Sequence, residues 1–261
     1  MITAASNSRI KRLVQLNQKS KLRRTEDVFL AEGVKMFLEA PREQLQEVYV
    51  SESFLEKCSC REHLEEVGYE VVSDSVFSKI SDTCTPQGVL CVLKQFHYNI
   101  EEMLRDKAPL FLLLENIQDP GNLGTMLRTG EGAGVSGIIM SRDTVDLYNP
   151  KVIRSTMGSI YRVPFYYADD FAAAVHQVQR AGVSVYAAHL RGKNSYACQD
   201  YTKGTAFLIG NEGNGLREET AELADCYIRI PMEGKGESLN AAVASSILMY
   251  EAHRQRATIE K

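Results

Sequence analysis

The length, composition and charge of the chain exclude several classes of protein. Its 261 residues allow one large domain or two modest ones, and 44% hydrophobic with 25% charged residues is ordinary for a globular protein. No apolar run approaches the ~20 residues that cross a bilayer, and residues 1–8 lack the apolar core of a secretory signal. We therefore expect a cytoplasmic protein with no membrane partner. The net charge of −4 argues against a wholly basic nucleic-acid binder.

The cysteines indicate neither a disulfide framework nor a metal site. None of the six forms a CxxC pair, so we expect reduced thiols in a reducing compartment. Cys58 and Cys60 stand close together, but nothing nearby in the sequence completes a tetrahedral set of ligands. We expect no metal cofactor.

Basic residues are concentrated at the start of this acidic chain. Between Met1 and Thr25 there are seven Lys or Arg residues and no acidic residue. Such a cluster is typical of a surface that contacts phosphate, although a solvated helix face is the alternative. Apolar residues from Ile10 to Leu22 recur at roughly helical spacing, so one face can pack while the other meets RNA or DNA. The basic residues are Arg9, Lys11, Arg12, Lys19, Lys21, Arg23 and Arg24.

The next part of the chain, residues 27–94, has the pattern of a small α/β/α sandwich. We predict a helix over 53–67, with Ser53 as its N-cap and Glu56 completing a capping box. The polar stretch 94–107 is typical of a linker. The predicted domains are therefore residues 1–95 and 109–261, joined by a linker over 96–108. The predicted strands of the first domain are 28–31, 47–50, 69–72 and 88–93.

From residue 109 the chain alternates apolar runs with helix-like segments. The wholly apolar run 110–114 suits a strand that is buried on both faces of a sheet. The alternation predicts a mostly parallel sheet with helices on both faces. The other predicted strands are 137–140, 183–187, 205–209 and 227–230, and the predicted helices are 121–132, 150–158, 170–181, one from 216 onwards, and 238–256.

Three Gly- and Asn-containing motifs follow apolar runs and precede helix-like segments in this second half. They read DPGNLGTMLR over 119–128, LIGNEGNGL over 208–216 and IPMEGKGESLN over 230–240. Each carries polar groups that a core would not accommodate. Because open α/β sheets bind ligands at the carboxyl ends of their strands, we expect the three loops to form one composite site.

Other chemistries have weaker signatures in this sequence. The segment from Gly210 to Gly215 lacks the Lys-Ser/Thr of a P-loop, and Glu212 would repel phosphate, so an uncharged or cationic ligand fits better. The five histidines are scattered and form no metal-binding motif. Residues 236–240 resemble a nucleophile elbow only superficially, because Asn240 stands where a glycine is required.

In order and spacing, the three motifs resemble the signature motifs of the SpoU/TrmH family of RNA ribose 2′-O-methyltransferases, over roughly residues 110–256. The start of the chain, through the stretches 10–16 and 29–33, resembles more weakly the substrate-binding domain of members that act on ribosomal RNA. The resemblance implies a C-terminal trefoil knot, which is an exception to the rule against knots. It also implies a homodimer that binds S-adenosylmethionine near the subunit interface.

The resemblance also implies roles for individual residues. By motif position, the cofactor contacts are Gly210, Ile230, Met232 and Leu239. The catalytic set is Arg128, Asn122, Glu212, Ser238 and Asn240. The residues that we expect on RNA, taken from the basic start of the chain and from the segment between the motifs, are Arg9, Lys11, Lys21, Arg23, Arg24 and Arg154.

The reaction itself constrains the role of Arg128. A ribose 2′-hydroxyl must lose its proton as it attacks the methyl group, and the family assigns Arg128 to activate it. A guanidinium with a pKa above about 12 is a very poor base. We therefore interpret Arg128 as a residue that positions phosphate and ribose and stabilises the developing alkoxide; a base role would need strong desolvation or a phosphate relay. Purely structural roles are the alternatives for two of these residues. Glu212 could be a favourable negative charge at the N-terminus of a helix, and Ser238 could cap the last helix.

The sequence thus predicts a methyltransferase that uses S-adenosylmethionine and acts on structured RNA, with 23S ribosomal RNA favoured. The alternatives are a tRNA 2′-O-methyltransferase and, from another class, a non-catalytic RNA-binding protein. A nucleotide-dependent oxidoreductase lacks its dinucleotide fingerprint. The expected partners are RNA and a second copy of the chain, not DNA. The sequence does not identify the modified nucleotide.

Overall fold

The computed structural model describes residues 1–236 and 238–259 and divides the chain into two compact units. The first unit comprises Met1–Phe96 and Asp146–Tyr161, and the second comprises His97–Val145 and Arg162–Lys261. The segment 146–161 therefore packs with the start of the chain, although the predicted borders assign it to the second domain. Within the described ranges, no helix is long and apolar enough to cross a membrane.

The first unit is built on a mixed four-stranded sheet in the order β1-β4-β2-β3. Strand β4 runs antiparallel to both β1 and β2, whereas β2 and β3 are parallel. Its strands are β1 (Val28–Glu32), β2 (Leu45–Ser51), β3 (Glu70–Val72) and β4 (Val89–Lys94), and its helices up to residue 96 are α1 (Ser8–Gln18), α2 (Ser20–Glu26), α3 (Val34–Leu38), α4 (Glu52–Lys57), α5 (Arg61–Val67) and α6 (Asp74–Ile80).

The single helix predicted over 53–67 is wrong, because α4 and α5 are separate. Ser51, not Ser53, caps α4 by accepting a hydrogen bond from the Phe54 N–H at 3.2 Å. The Ser53 hydroxyl instead donates to Asp74 at 2.7 Å. Because Ser53 lies inside α4, the predicted capping box does not form. The helix ends at Cys58, where the backbone is extended.

Arg23 holds the 146–161 segment inside the first unit. Its side chain is only 3% exposed, and its guanidinium pairs with Asp146 at 2.5 Å. It also donates to the carbonyl of Leu16 at 2.6 Å. A buried ion pair of this kind is costly to break, so Arg23 is a structural residue. The burial of Arg23 contradicts the expectation that it contacts RNA, since its guanidinium pairs with Asp146 inside the fold.

The second unit contains a seven-stranded sheet in which every pair is parallel, as predicted for an α/β fold. The strand order is β7-β6-β5-β10-β8-β11-β9. Its strands are β5 (Leu110–Leu114), β6 (Gly137–Ser141), β7 (Phe165–Ala168), β8 (Ser184–Ala188), β9 (Asn194–Ser195), β10 (Thr205–Ile209) and β11 (Cys226–Arg229). The remaining helices of the chain are α7 (Ile100–Met103), α8 (Pro120–Ala133), α9 (Pro150–Thr156, in the first unit), α10 (Phe171–Arg180), α11 (Glu218–Ala221) and α12 (Ala241–Ile259).

Two of these elements differ from their predictions. The predicted linker 96–108 contains α7, whose Ile100 and Met103 are buried in the core of the second unit. The final helix was predicted from residue 238 but begins at Ala241, because Asn240 is its cap. The Asn240 side-chain oxygen accepts from the N–H groups of Ala242 at 2.9 Å and Val243 at 3.2 Å.

The far end of α12 is held by a single arginine. The Arg256 guanidinium donates to four backbone carbonyls at 2.7–3.2 Å. Burial lowers the pKa of Arg256, against an opposing effect of Asp106. The far end of α12 is therefore bound to two loops that are distant in sequence. The four carbonyls belong to Ala108, Pro109, Tyr201 and Lys203.

Candidate functional site

The three motif loops leave the same edge of the parallel sheet. Strand β5 leads into the 119–128 motif, β10 into the 208–216 motif and β11 into the 230–240 motif. Strands β5 and β10 are direct neighbours, so their loops start side by side. This is the edge at which open α/β sheets bind ligands.

A chain of hydrogen bonds joins one residue from each motif. The side-chain amide of Asn240 donates to the Asn122 oxygen at 2.9 Å, and the Asn122 amide donates to Glu212 at 3.0 Å. Because Glu212 can only accept when ionised, the orientation of both amides is determined. Asn122 is 9% exposed, so its two polar atoms depend on these partners. The predicted convergence of Asn122, Glu212 and Asn240 is thus present in the structure.

The Glu212 carboxylate accepts hydrogen bonds from several donors. Besides Asn122, the backbone N–H groups of Asp119 and Gln118 donate to its carboxylate at 2.9 and 3.0 Å. Burial acts to raise the pKa of Glu212, but the hydrogen bonds from Asn122, Asp119 and Gln118 outweigh it and hold the pKa below its usual range. Glu212 therefore ties the first two motif loops together as a carboxylate.

A first cavity of about 290 Å³ opens beside this chain of hydrogen bonds. Its volume lies near the lower end of the ~300–1,000 Å³ range for small-molecule sites. Leu190 and Met232 line it and are 62% and 39% exposed. Their apolar side chains are therefore not covered by other residues of the described chain. All four residues predicted to contact the cofactor line this cavity: Gly210, Ile230, Met232 and Leu239.

Polar groups at the first cavity suit a ligand that carries positive charge. Glu212 contributes its anion to the wall. His189 also lines the cavity, and burial lowers the pKa of its imidazole, with Arg191 adding to the effect. His189 is therefore uncharged at neutral pH and does not repel a cation. These features fit S-adenosylmethionine, whose sulfonium is positive and whose adenosine needs apolar cover.

A second cavity adjoins the first and is more open. Asn211, Glu212, Gly213 and Ala241 line both cavities, so they form a shared wall. Asp119 stands at the mouth of the second cavity, where its side-chain oxygen caps α8 by accepting from the Asn122 N–H at 2.8 Å. The second cavity is lined by Gln118, Asp119, Pro120, Asn122, Asn211, Glu212, Gly213, Asn240 and Ala241.

Two predicted catalytic residues lie outside the chain of hydrogen bonds. Ser238 lines the first cavity but makes no hydrogen bond with the residues that the structure describes. Arg128 lies on the exposed side of α8 and lines neither cavity. Its guanidinium has no hydrogen bond or ion pair within 1–236 and 238–259. The structure therefore leaves Arg128 accessible to a group from outside the single chain.

The residues expected on RNA differ in how firmly the first unit holds them. Lys11, Lys21 and Arg24 are exposed, and within residues 1–236 and 238–259 the Arg24 guanidinium donates only to the Ser20 hydroxyl, at 3.4 Å. Arg9 is 62% exposed and pairs with Glu70 at 3.3 Å, and Arg154 is 46% exposed and pairs with Asp82 at 3.2 Å. Exposed ion pairs of this kind are weak. Of the six predicted residues, five remain available to phosphate.

Comparisons with known proteins identify the family. The SpoU rRNA Methylase family matches residues 109–250, and an MRM3-like substrate binding domain matches residues 7–91. The chain belongs to the SpoU rRNA methylase family. The predicted family and the predicted enzyme class, an RNA methyltransferase, are confirmed.

Relatives match along nearly the whole chain. The 23S rRNA (guanosine(2553)-2′-O)-methyltransferase RlmP of Bacillus subtilis is 32% identical, covering 95% of this chain and 97% of RlmP. The AdoMet-bound rRNA methyltransferase of Sinorhizobium meliloti is 31% identical with a TM-score of 0.83, covering 97% of each chain. The AdoMet complex of the SpoU methyltransferase AviRb from Streptomyces viridochromogenes is 26% identical with a TM-score of 0.87, covering 97% of this chain and 99% of AviRb.

Proposed function

We propose that this protein transfers a methyl group from S-adenosylmethionine to the 2′-hydroxyl of a ribose in 23S ribosomal RNA. The observation that carries the proposal is the chain of hydrogen bonds from Asn240 through Asn122 to Glu212, at the wall shared by two cavities. One cavity fits the methyl donor and the adjoining one is open to a polymer. Relatives named as 23S rRNA 2′-O-methyltransferases support this choice. Action on ribosomal RNA agrees with the expected cytoplasmic localisation.

The first cavity holds the cofactor, which supplies an electrophilic methyl group when bound. Gly210, from the loop after β10, and Ile230 and Leu239, from the loop after β11, bring two loops around it, and Met232 also lines it. Glu212 holds the first and second motif loops together and gives the cavity wall a negative charge, which would suit a positively charged sulfonium. Asn122 and Asn240 keep Glu212 and the start of α12 in position. Ser238 adds a hydroxyl to the cofactor cavity.

A homodimer brings Arg128 to the reaction. Val243 and Tyr250 are 48% and 49% exposed on α12, and the Tyr250 hydroxyl lies 2.9 Å from where a Cβ on Gly132 of α8 would stand. Exposed apolar side chains on a helix that packs against α8 are typical of an interface. A second copy that covers this face of α8 and α12 would enclose Arg128. Arg128 would then position the target phosphate and stabilise the developing alkoxide.

The trefoil knot expected for the family is part of the same proposal. Its support is the way in which α12 is held. The start of α12 is bound through Asn240 to Asn122, and its far end is bound through Arg256 to carbonyls at 108–109 and 201–203. Anchors at both ends would keep a C-terminal segment in place once it has passed through a loop.

The first unit selects the RNA in this proposal, through the exposed basic residues of α1 and α2. Replacing Lys21 and Arg24 together by glutamate should weaken RNA binding and reduce the slope of log affinity against log salt by about 1.5, because two phosphate contacts are lost at ~0.7–0.9 each. Titrations of fluorescent RNA between low and high salt measure this slope. Arg23 is left intact, since its replacement would disrupt the buried pair with Asp146.

A matched control separates local contacts from overall charge. Lys57 and Arg61 are exposed on α4 and α5 of the same unit. Their replacement by glutamate changes the net charge by the same amount and should leave the salt slope nearly unchanged. Equal slopes in both double variants would remove α2 from the proposed RNA surface.

The proposed activity is tested by mapping 2′-O-methyl marks on total RNA from cells with and without this protein. We expect one mark in 23S ribosomal RNA to depend on it. Calorimetry with S-adenosylmethionine should detect one site in each chain. A dependent mark in tRNA would favour the tRNA enzyme. Failure of pure, folded protein to bind the cofactor would favour an RNA-binding protein without catalysis.

A further inference from the structure

His189 follows the carboxyl end of β8 and lines the first cavity. Its backbone N–H donates to the Ile228 carbonyl at 3.0 Å, and its own carbonyl accepts from the Gly192 N–H at 2.9 Å. The imidazole packs against the Tyr227 ring of β11, with the two ring centroids 5.1 Å apart. These contacts fix the position of His189 in the cavity wall.

A hydrogen bond to Nδ1 of His189 selects the neutral form of the imidazole. Nδ1 accepts from the Arg191 N–H at 3.1 Å. Because a main-chain N–H can only donate, Nδ1 must keep its lone pair and the ring proton must lie on Nε2. In the imidazolium both ring nitrogens carry protons, so two donors would face each other. Protonation of His189 would therefore break this hydrogen bond.

The groups around His189 favour the neutral form on balance. Burial lowers the pKa of His189 most and the Arg191 charge lowers it further, whereas Glu218 of α11 raises it. The Arg191 guanidinium pairs with Glu218, so these two opposing charges partly offset each other. The pKa of His189 therefore lies below its usual range, and the imidazole takes up a proton only in acid solution.

The protonation state of His189 changes the charge of the first cavity. Among the described residues of its lining, the charged side chains are Glu212 from the loop after β10 and Arg229 at the end of β11. A proton on His189 would add a second cation beside this single anion. A round cavity of about 290 Å³ is only about 8 Å across, which is no more than the screening length in physiological salt. A charge on His189 would therefore act on any charge inside the cavity.

We infer that His189 is a specificity residue, whose neutral imidazole lets the first cavity bind the positively charged methyl donor and whose protonation shifts the preference towards the uncharged product. This rests on the proposed function. When the methyl carbon bonds to the ribose oxygen, the electron pair of its bond to sulfur stays on the sulfur. The sulfonium of S-adenosylmethionine thereby becomes the neutral thioether of S-adenosylhomocysteine. A protonated His189 repels the sulfonium but not the thioether.

The affinities of the protein for S-adenosylmethionine and S-adenosylhomocysteine, measured by calorimetry at pH 7.5 and pH 5, test this role. The affinity for S-adenosylmethionine should fall by roughly fivefold at pH 5, as expected for two unit charges about 8 Å apart in a medium between protein surface and water. The affinity for S-adenosylhomocysteine should stay within about twofold. Glu212 does not cause the difference, because its hydrogen bonds hold its pKa below the usual range and it remains a carboxylate.

The decisive variant is His189→Asn, which cannot be protonated but can keep the local structure. An asparagine oxygen readily accepts from the N–H two residues further on, so it can replace Nδ1 as the acceptor for Arg191. This variant should bind S-adenosylmethionine within about twofold of the wild type at pH 7.5 and equally well at pH 5. His189→Lys carries a fixed charge and should lose about fivefold in affinity for S-adenosylmethionine already at pH 7.5. The matched control is His176→Asn, because His176 is exposed on α10 and lines neither cavity.

Nuclear magnetic resonance of the imidazole reads the same coupling from the other side. Because coupling is reciprocal, S-adenosylmethionine should lower the pKa of His189 more than S-adenosylhomocysteine does. An equal response of both compounds to pH, or an unchanged acid loss in His189→Asn, would overturn the role of His189 and leave the proposed function standing. A folded wild type that binds neither compound at any pH would overturn the proposed function, and the inference with it.

Discussion

Replacing Arg128 by alanine should reduce the rate of methyl transfer by on the order of 10³-fold and leave cofactor affinity unchanged. Loss of one preorganised donor to a developing oxyanion costs about 10²–10³-fold in rate, and a guanidinium supplies a forked pair of donors. Arg128 lies outside the lining of both cavities, so its removal takes nothing from the cofactor. Its exposed position on α8 and its lack of a described partner mean that alanine should not destabilise the helix.

The measurement is single-turnover transfer of labelled methyl to the RNA, beside calorimetry with S-adenosylmethionine. Arg128→Lys keeps the positive charge but loses the paired N–H donors of the guanidinium, so we expect an intermediate rate of methyl transfer. Arg180→Ala is the matched control, because Arg180 is also an exposed helical arginine of the second unit and lines neither cavity. A near-normal rate for Arg128→Ala would show that Arg128 does not act on the reacting oxygen.

The sequence could predict which edge of the sheet carries the site, because the strand order is not needed for that. A parallel sheet places the carboxyl end of every strand at one edge, so three motifs that follow strands all lie at that edge. The chain of hydrogen bonds through Asn122, Glu212 and Asn240 and the lining by all four expected cofactor residues are consistent with this rule. The strand order itself depends on long-range contacts and was not predicted.

Predictions that depended on distant partners were less reliable. Arg23 belongs to a basic run by sequence, but its partner is Asp146, more than a hundred residues away. Counting charge along the chain cannot reveal such a pair. The break between α4 and α5 carries no glycine or proline, and Ser53 matches a capping pattern as well as Ser51 does. A local pattern could not decide between these two serines.

Replacing Gly210 by alanine should have the largest effect on stability. A Cβ on Gly210 would overlap the backbone carbon and oxygen of Gly215 and the nitrogen of Leu216. These backbone atoms cannot rotate away as a side chain can. Asn211 and Gly215 close the loop with a pair of backbone hydrogen bonds at 2.9 and 3.0 Å. Overpacking costs about 1–3 kcal/mol even where side chains can adjust. We expect at least about 3 kcal/mol, or a fall in melting temperature of roughly 6–12 °C.

Gly213→Ala is the control within the same loop. A Cβ on Gly213 would meet only the Asn211 side-chain oxygen at 3.6 Å, which is ordinary contact. Both variants gain one methyl group and lose the same backbone freedom in the unfolded chain, so a difference in melting temperature reports the overlap at Gly210 alone. Equal melting temperatures would mean that the loop can open around residue 210. If Gly210→Ala also loses cofactor binding, that loss would follow from the displaced loop, because Gly210 and Gly215 both line the first cavity.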